Sequence, residues 1–142
     1  MGQAVAACQP YRSRTTLVRV NVYDYKGKDS FVPVTREILH SFGAGAYHLG
    51  VEVFDQEWSF GPAGQGGQGG GVFSRPPREC DDHAYREDLR LGRTEMPQWQ
   101  FDELIGRFKQ EWTGDSYDVL RRNSTHFATA LALELGVEQV PA

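Results

Sequence analysis

Residues 121–135, RRNSTHFATALALEL, constrain the fold more than any other stretch of the chain. From about position 124 onward the run is apolar nearly all round, with Phe127, Ala128, Ala130, Leu131, Ala132, Leu133 and Leu135. A helix of that kind belongs in the middle of a domain, with the other elements packed around it. Gly136 is placed to stop it. Ser124 opens its first turn, close behind Asn123. A first-turn position facing a groove is one of the few backbone sites prepared in advance to stabilise a developing negative charge.

The elements that could surround this helix come earlier. Residues 16–23, TLVRVNVY, alternate between Val18, Val20, Val22 and Arg19, Asn21, Tyr23, the period of a half-buried strand. Residues 35–42 read as a short helix capped by Thr35, with His40 on its solvated side. Residues 47–54 read as a second strand, with Tyr47, Leu49, Val51 and Val53 on one face and His48, Gly50 and Glu52 on the other. A hairpin through Asp55 and Gln56 would return the chain along residues 57–60. Residues 61–71, GPAGQGGQGGG, lack the strand-turn-helix setting and the Lys-Ser/Thr of a phosphate loop. They read as an expanded glycine loop, with a flap over a neighbouring site as the functional alternative. Val72 and Phe73 resume a strand, Pro76 and Pro77 break it, and residues 88–91 form another, ended by Gly92. Thr94 caps a helix running to about Trp112, with Pro97 in its first turn. Its stripe of Phe101, Leu104, Ile105, Phe108 and Trp112 faces a core. Strands early and long helices late predict an α+β domain over 16–142, behind a flexible leader at 1–15.

Bulk properties exclude several functions. A chain of 142 residues with a net charge of −4 has no basic surplus to neutralise phosphates, so nucleic acid is not an expected partner. Cys8 and Cys80 form no cluster with metal spacing, and neither a metal nor another cofactor is expected. The simplest setting for them is a reducing, cytoplasmic compartment without a Cys8–Cys80 bridge, the nucleus being left open. No apolar run spans a bilayer, so the Asn123-Ser124-Thr125 sequon is read as accidental. Membrane attachment would require acylation of Gly2 and Cys8, and Ala6 stands where myristoylation prefers Ser or Thr.

If Ser124 marks a reactive position, a histidine should serve it. His126 is near in sequence but points about 200° away along a helix, and its expected task is a hydrogen bond that fixes the turn. His83 lies in the charged run DDHAYRED and reads as solvated. His48 opens a strand beside small Gly50, which would leave room for a substrate chain. Taken alone, a histidine there is more often structural than catalytic.

In order along the chain, LVRVNVYD, GAYHLGVEVF, EWSFG, LRLGRTE and GDSYDVLRRNSTHFATAL resemble the PPPDE family, the permuted papain-fold peptidases that include the desumoylating isopeptidases. The resemblance covers most of residues 17–135 and misses the glycine loop. It implies a permuted papain-like α+β fold, an antiparallel sheet or partial barrel packed against helices. It also implies a Cys–His dyad that removes ubiquitin or a SUMO-like modifier from lysine. His48 matches the histidine and Ser124 occupies the cysteine position. Asn123, Thr125 and His126 are the implied supports of the turn and of an oxyanion.

The serine departs from the family pattern. A thiol at a helix start beside a histidine ionises readily, attacks the isopeptide carbonyl, and leaves the oxyanion to backbone amides. A hydroxyl is far less acidic, and a helix terminus supplies about 1 kcal/mol, too little to produce an alkoxide. The chain as written is therefore expected to be inactive or nearly so. Survival of His48, Asn123 and His126 favours a serine introduced into an intact site over a decayed pseudoenzyme. Two other readings stay open: a groove that binds a modifier tail or peptide without cleaving it, and a thioesterase or acyltransferase on the same scaffold. A homodimer is also open, with Trp58 or Trp99 lining a contact or belonging to the core.

Overall fold

In the computed structural model, residues 14–25, 47–63 and 70–137 are described. Residues 1–13 of the expected leader, the expected helix at 35–42 with His40, and positions 64–69 of the glycine loop lie outside them.

Strand β1 spans Thr16–Tyr25, β2 His48–Val53, β3 Gln56–Gly61, β4 Gly71–Arg75 and β5 His83–Thr94. They form one antiparallel sheet in the order β4-β3-β2-β1-β5. Helix α1 spans Gln98–Glu111, a 3₁₀ turn covers Gly114–Ser116, and α2 spans Ser124–Leu135. This is the expected α+β arrangement, consistent with a permuted papain-like fold.

The alternation in β1 sorts the two faces of the sheet. Val18, Val20 and Val22 meet Leu49, Val51 and Val53 on the face covered by both helices. Phe108, Trp112, Phe60 and Phe127 meet there ring against ring, 5.1–6.3 Å between centroids. The second face is polar at its centre. Asn21, Tyr23, His48 and Glu57 are buried on it, and Tyr23, Phe73 and Cys80 form a small separate cluster.

Several boundaries differ from expectation for identifiable reasons. The β2–β3 hairpin turns at Phe54 and Asp55, one residue early; both have positive φ, as a two-residue turn matched to strand twist requires. Strand β5 begins five positions before the expected start at residue 88 and runs through Gly92 to Thr94, so the charged run read as a loop is an edge strand. His83 is therefore its first residue, partly buried rather than solvated. Thr94 does not cap α1, whose N-cap is Pro97. Its hydroxyl instead donates to Leu135 O at 2.8 Å and accepts from Met96 N–H. The far end of α1 agrees with expectation, with Trp112 as its C-cap. Helix α2 is less enclosed than its composition suggests, since Leu133 is 65% exposed.

Glu57 organises the polar face. Its carboxylate accepts from Tyr23 OH at 2.6 Å, Asn21 Nδ2 at 2.7 Å and Arg78 N–H at 2.8 Å. Glu52 lies directly opposite in the ladder, a like charge offset by Asn21 Nδ2 at 3.0 Å and the Arg78 guanidinium at 2.7 Å. Arg78 has φ 64°, an uncommon conformation for a side-chain-bearing residue, held by these two bonds. The Glu57 side chain fills the space over Gly50, where a Cβ would overlap Glu57 Oε2. The room that Gly50 was expected to leave for a substrate is thus occupied. Gly50→Ala should destabilise the fold by about 1–3 kcal/mol through this overlap, measured as a lowered denaturant midpoint.

Candidate active site

Ser124 reaches its place because Asn123 ends the preceding turn and starts α2. Asn123 Oδ1 accepts from Thr125 N–H at 2.9 Å and His126 N–H at 3.3 Å. His126 Nδ1 accepts from Asn123 N–H at 3.1 Å, so the two side chains cap each other's backbone. Asn123 Nδ2 also donates to Val119 O at 2.8 Å, tying the cap to the turn before it. That turn is braced by Asp118, whose carboxylate accepts from Leu120 N–H and Arg121 N–H and is held below the usual carboxylate range by them. Of the expected supports, Asn123 and His126 hold the turn in this direct sense, and the Thr125 and His126 amides are donors to the cap.

Ser124 itself is 1% exposed. Its Oγ accepts from Leu49 N–H at 3.1 Å, seventy-five positions away in sequence. This contact exists because β2 and β3 pair from Val51 and Trp58 toward the hairpin but not at Leu49. There the backbone finds side chains instead: Leu49 N–H donates to Ser124, and Ser59 Oγ donates to Leu49 O at 3.2 Å. The start of α2 thus sits against β2 one residue from His48.

The His48 ring is 2% exposed. Strand alternation puts it on the face opposite Leu49, beside Tyr23, its partner in the ladder, at 5.7 Å between centroids. His83 lies against it at 4.3 Å and Cys80 Sγ stands 3.8 Å from Nε2. Burial, and then the neighbouring His83, push its pKa down to about 3. Burial and the Glu57 carboxylate push the Cys80 thiol up to about 11. His48 and Cys80 are therefore both neutral near pH 7. Cys80 is a free, buried thiol. Nothing in the sequence placed it beside His48, since a cysteine in a charged run has no spacing to read. Glu57 was missed too, its one trace being the glycine at position 50 that makes room for it. Among the described residues, no group of three or more His, Cys, Asp or Glu side chains could hold a metal ion, and no helix is long and apolar enough to cross a membrane.

Comparison with known proteins adds the family. Residues 16–142 match the description "PPPDE putative peptidase domain". The chain belongs to the PPPDE peptidase family. It is similar to a desumoylating isopeptidase 1 homolog of Caenorhabditis elegans, 31% identical over 90% of this chain and 37% of that protein. It is similar also to a DeSI-like protein of Arabidopsis thaliana, 28% identical over 89% of this chain and 52% of the relative. The DeSI-like protein sdu1 of Schizosaccharomyces pombe is 35% identical over 88% of this chain and 60% of its own length. The chain thus spans between about a third and three fifths of these relatives. Family and relatives together support a scaffold of the desumoylating isopeptidase type.

Two outcomes follow from this geometry. Ser124→Ala leaves Leu49 N–H buried without an acceptor and should cost about 1–3 kcal/mol in chemical denaturation. The low proton affinity of His48 also makes stability depend on pH. The unfolded chain takes up this proton near pH 6.5 and the folded chain near pH 3. Between those values the unfolded state binds more protons, so the contribution is complete above pH 6.5 and is lost as pH falls toward 3. Its slope is at most about 1.4 kcal/mol per pH unit. Glu57, whose pKa burial raises, acts in the opposite sense: its contribution is lost as pH rises through its folded value. Denaturation at pH 7 and pH 5 should show a shallower loss on acidification in His48→Gln than in the parent.

Proposed function

We propose that this chain recognises lysine-linked conjugates of a small protein modifier and is disabled in the hydrolytic step by Ser124. The single observation that carries the reading is the engagement of Ser124: at the PPPDE nucleophile position stands a hydroxyl, buried and bonded to Leu49 N–H. An alkoxide there would need a strong base, and an imidazole whose pKa is about 3 is a weak one. With a thiol at 124 and substrate in place, His48 is the group to accept the nucleophile's proton and return it to the departing lysine amine. Asn123, Thr125 and His126 then form the turn that holds the nucleophile and the developing oxyanion.

The relatives' names favour SUMO-type conjugates over ubiquitin as the ligand class. The free thiol at Cys80 suits a reducing, cytoplasmic location.

Ser124→Cys is the direct test. Incubation with SUMO-type and ubiquitin-type probes bearing a C-terminal electrophile should give a covalent adduct with the SUMO-type probe, and the Ser124 parent should give none. Turnover by the parent would overturn the proposed inactivity. Absence of an adduct with either probe, in a folded Ser124→Cys protein that still binds the modifier, would favour a non-catalytic binding module.

A further inference from the structure

Buried imidazoles that act as bases are held by a partner on the second ring nitrogen, which fixes orientation and tautomer. His48 Nε2 faces a thiol, Cys80 Sγ, at 3.8 Å. The pair stands inside the protein, with Cys80 2% and His48 2% exposed, so bulk water does not compete for the contact.

The thiol is itself seated. Cys80 N–H donates to Tyr23 OH at 3.4 Å, and Tyr23 OH donates to Glu57 Oε2 at 2.6 Å. Glu57 is anchored in turn by Asn21 and by Arg78 N–H, two residues before Cys80. The loop that carries Cys80 is therefore tied twice to the sheet, through Arg78 and through Tyr23. Tyr23 also stands edge-on to the His48 ring. A buried carboxylate thus braces the imidazole without touching it, through a phenol and a thiol.

We propose that Cys80 is the positioning residue for His48, its thiol standing at Nε2 where an orienting carboxylate or amide would otherwise sit. The assignment rests on reading His48 as the base of a PPPDE site and deepens that reading. A neutral thiol accepts weakly from Nε2–H and donates weakly to bare Nε2, so it steadies the ring without drawing a second proton onto it. A carboxylate in the same place would favour the imidazolium. The arrangement therefore suits a neutral base more than a preformed ion pair. Among the described residues, the titratable groups facing His48 are Tyr23 from β1, Cys80 from the loop before β5 and His83 from β5, with Glu57 of β3 behind Tyr23.

The decisive measurement is ¹⁵N NMR of the imidazole nitrogens across pH, in the parent, Cys80→Ala and Cys80→Ser. Cys80→Ala should shift the His48 tautomer balance, and Cys80→Ser should restore most of the parent pattern. Unchanged Nδ1 and Nε2 signals in folded Cys80→Ala would overturn the assignment. If Cys80→Ala does not fold, Tyr23→Phe takes its place, since it keeps the ring and removes the hydroxyl that seats Cys80; unchanged His48 signals there overturn the assignment equally. Turnover is not part of the readout. A Ser124→Cys protein that ignores every modifier probe would sink the functional reading, and the NMR result would still decide the role of Cys80.

Discussion

One hydrogen bond, Leu49 N–H to Ser124 Oγ at 3.1 Å, fastens the start of α2 to β2 next to both candidate site positions. It stands where β2 and β3 stop pairing, and a buried amide there needs an acceptor. The side chain at position 124 therefore answers two demands. The backbone of β2 asks for an acceptor, and the proposed site asks for a nucleophile. Serine meets the first fully. A thiol is a weaker acceptor and a far better nucleophile. The same position can thus be tuned toward packing or toward reaction, and a serine hydroxyl favours packing.

The sheet separates these demands in space. One face carries the aromatic and aliphatic core with both helices. The other carries Asn21, Tyr23, His48 and Glu57, buried but polar. Burial of a carboxylate is costly unless its oxygens are satisfied, and Glu57 meets that condition with three donors. His48 shares this enclosed environment, which accounts for its low proton affinity.

Much of the fold was legible because it rests on periodicity. The alternation of Val18, Val20 and Val22 gave β1, and the spacing of Phe101, Leu104, Ile105 and Phe108 gave α1. Both patterns survive as buried faces. The start of β5 was not legible, because an edge strand leaves charged residues such as Glu87 and Arg90 partly or fully exposed and so looks like a loop. His83 was misplaced for that reason. At the site, His48 and Ser124 stood out through family motifs, and the bond by which His126 fixes the turn could be anticipated from helix geometry. Cys80 and Glu57 could not, since each depends on tertiary contacts between segments more than twenty positions apart.

Helix α2 is fastened to the sheet at both ends, by Ser124 to Leu49 and by Thr94 to the carbonyl of Leu135. A rod pinned at two points can neither slide along its bed nor roll on it without breaking a buried bond. Any opening that admits a ligand must therefore come from the segments around α2. The N-terminal end of the helix is a fixed seat, and any arriving chain has to conform to it.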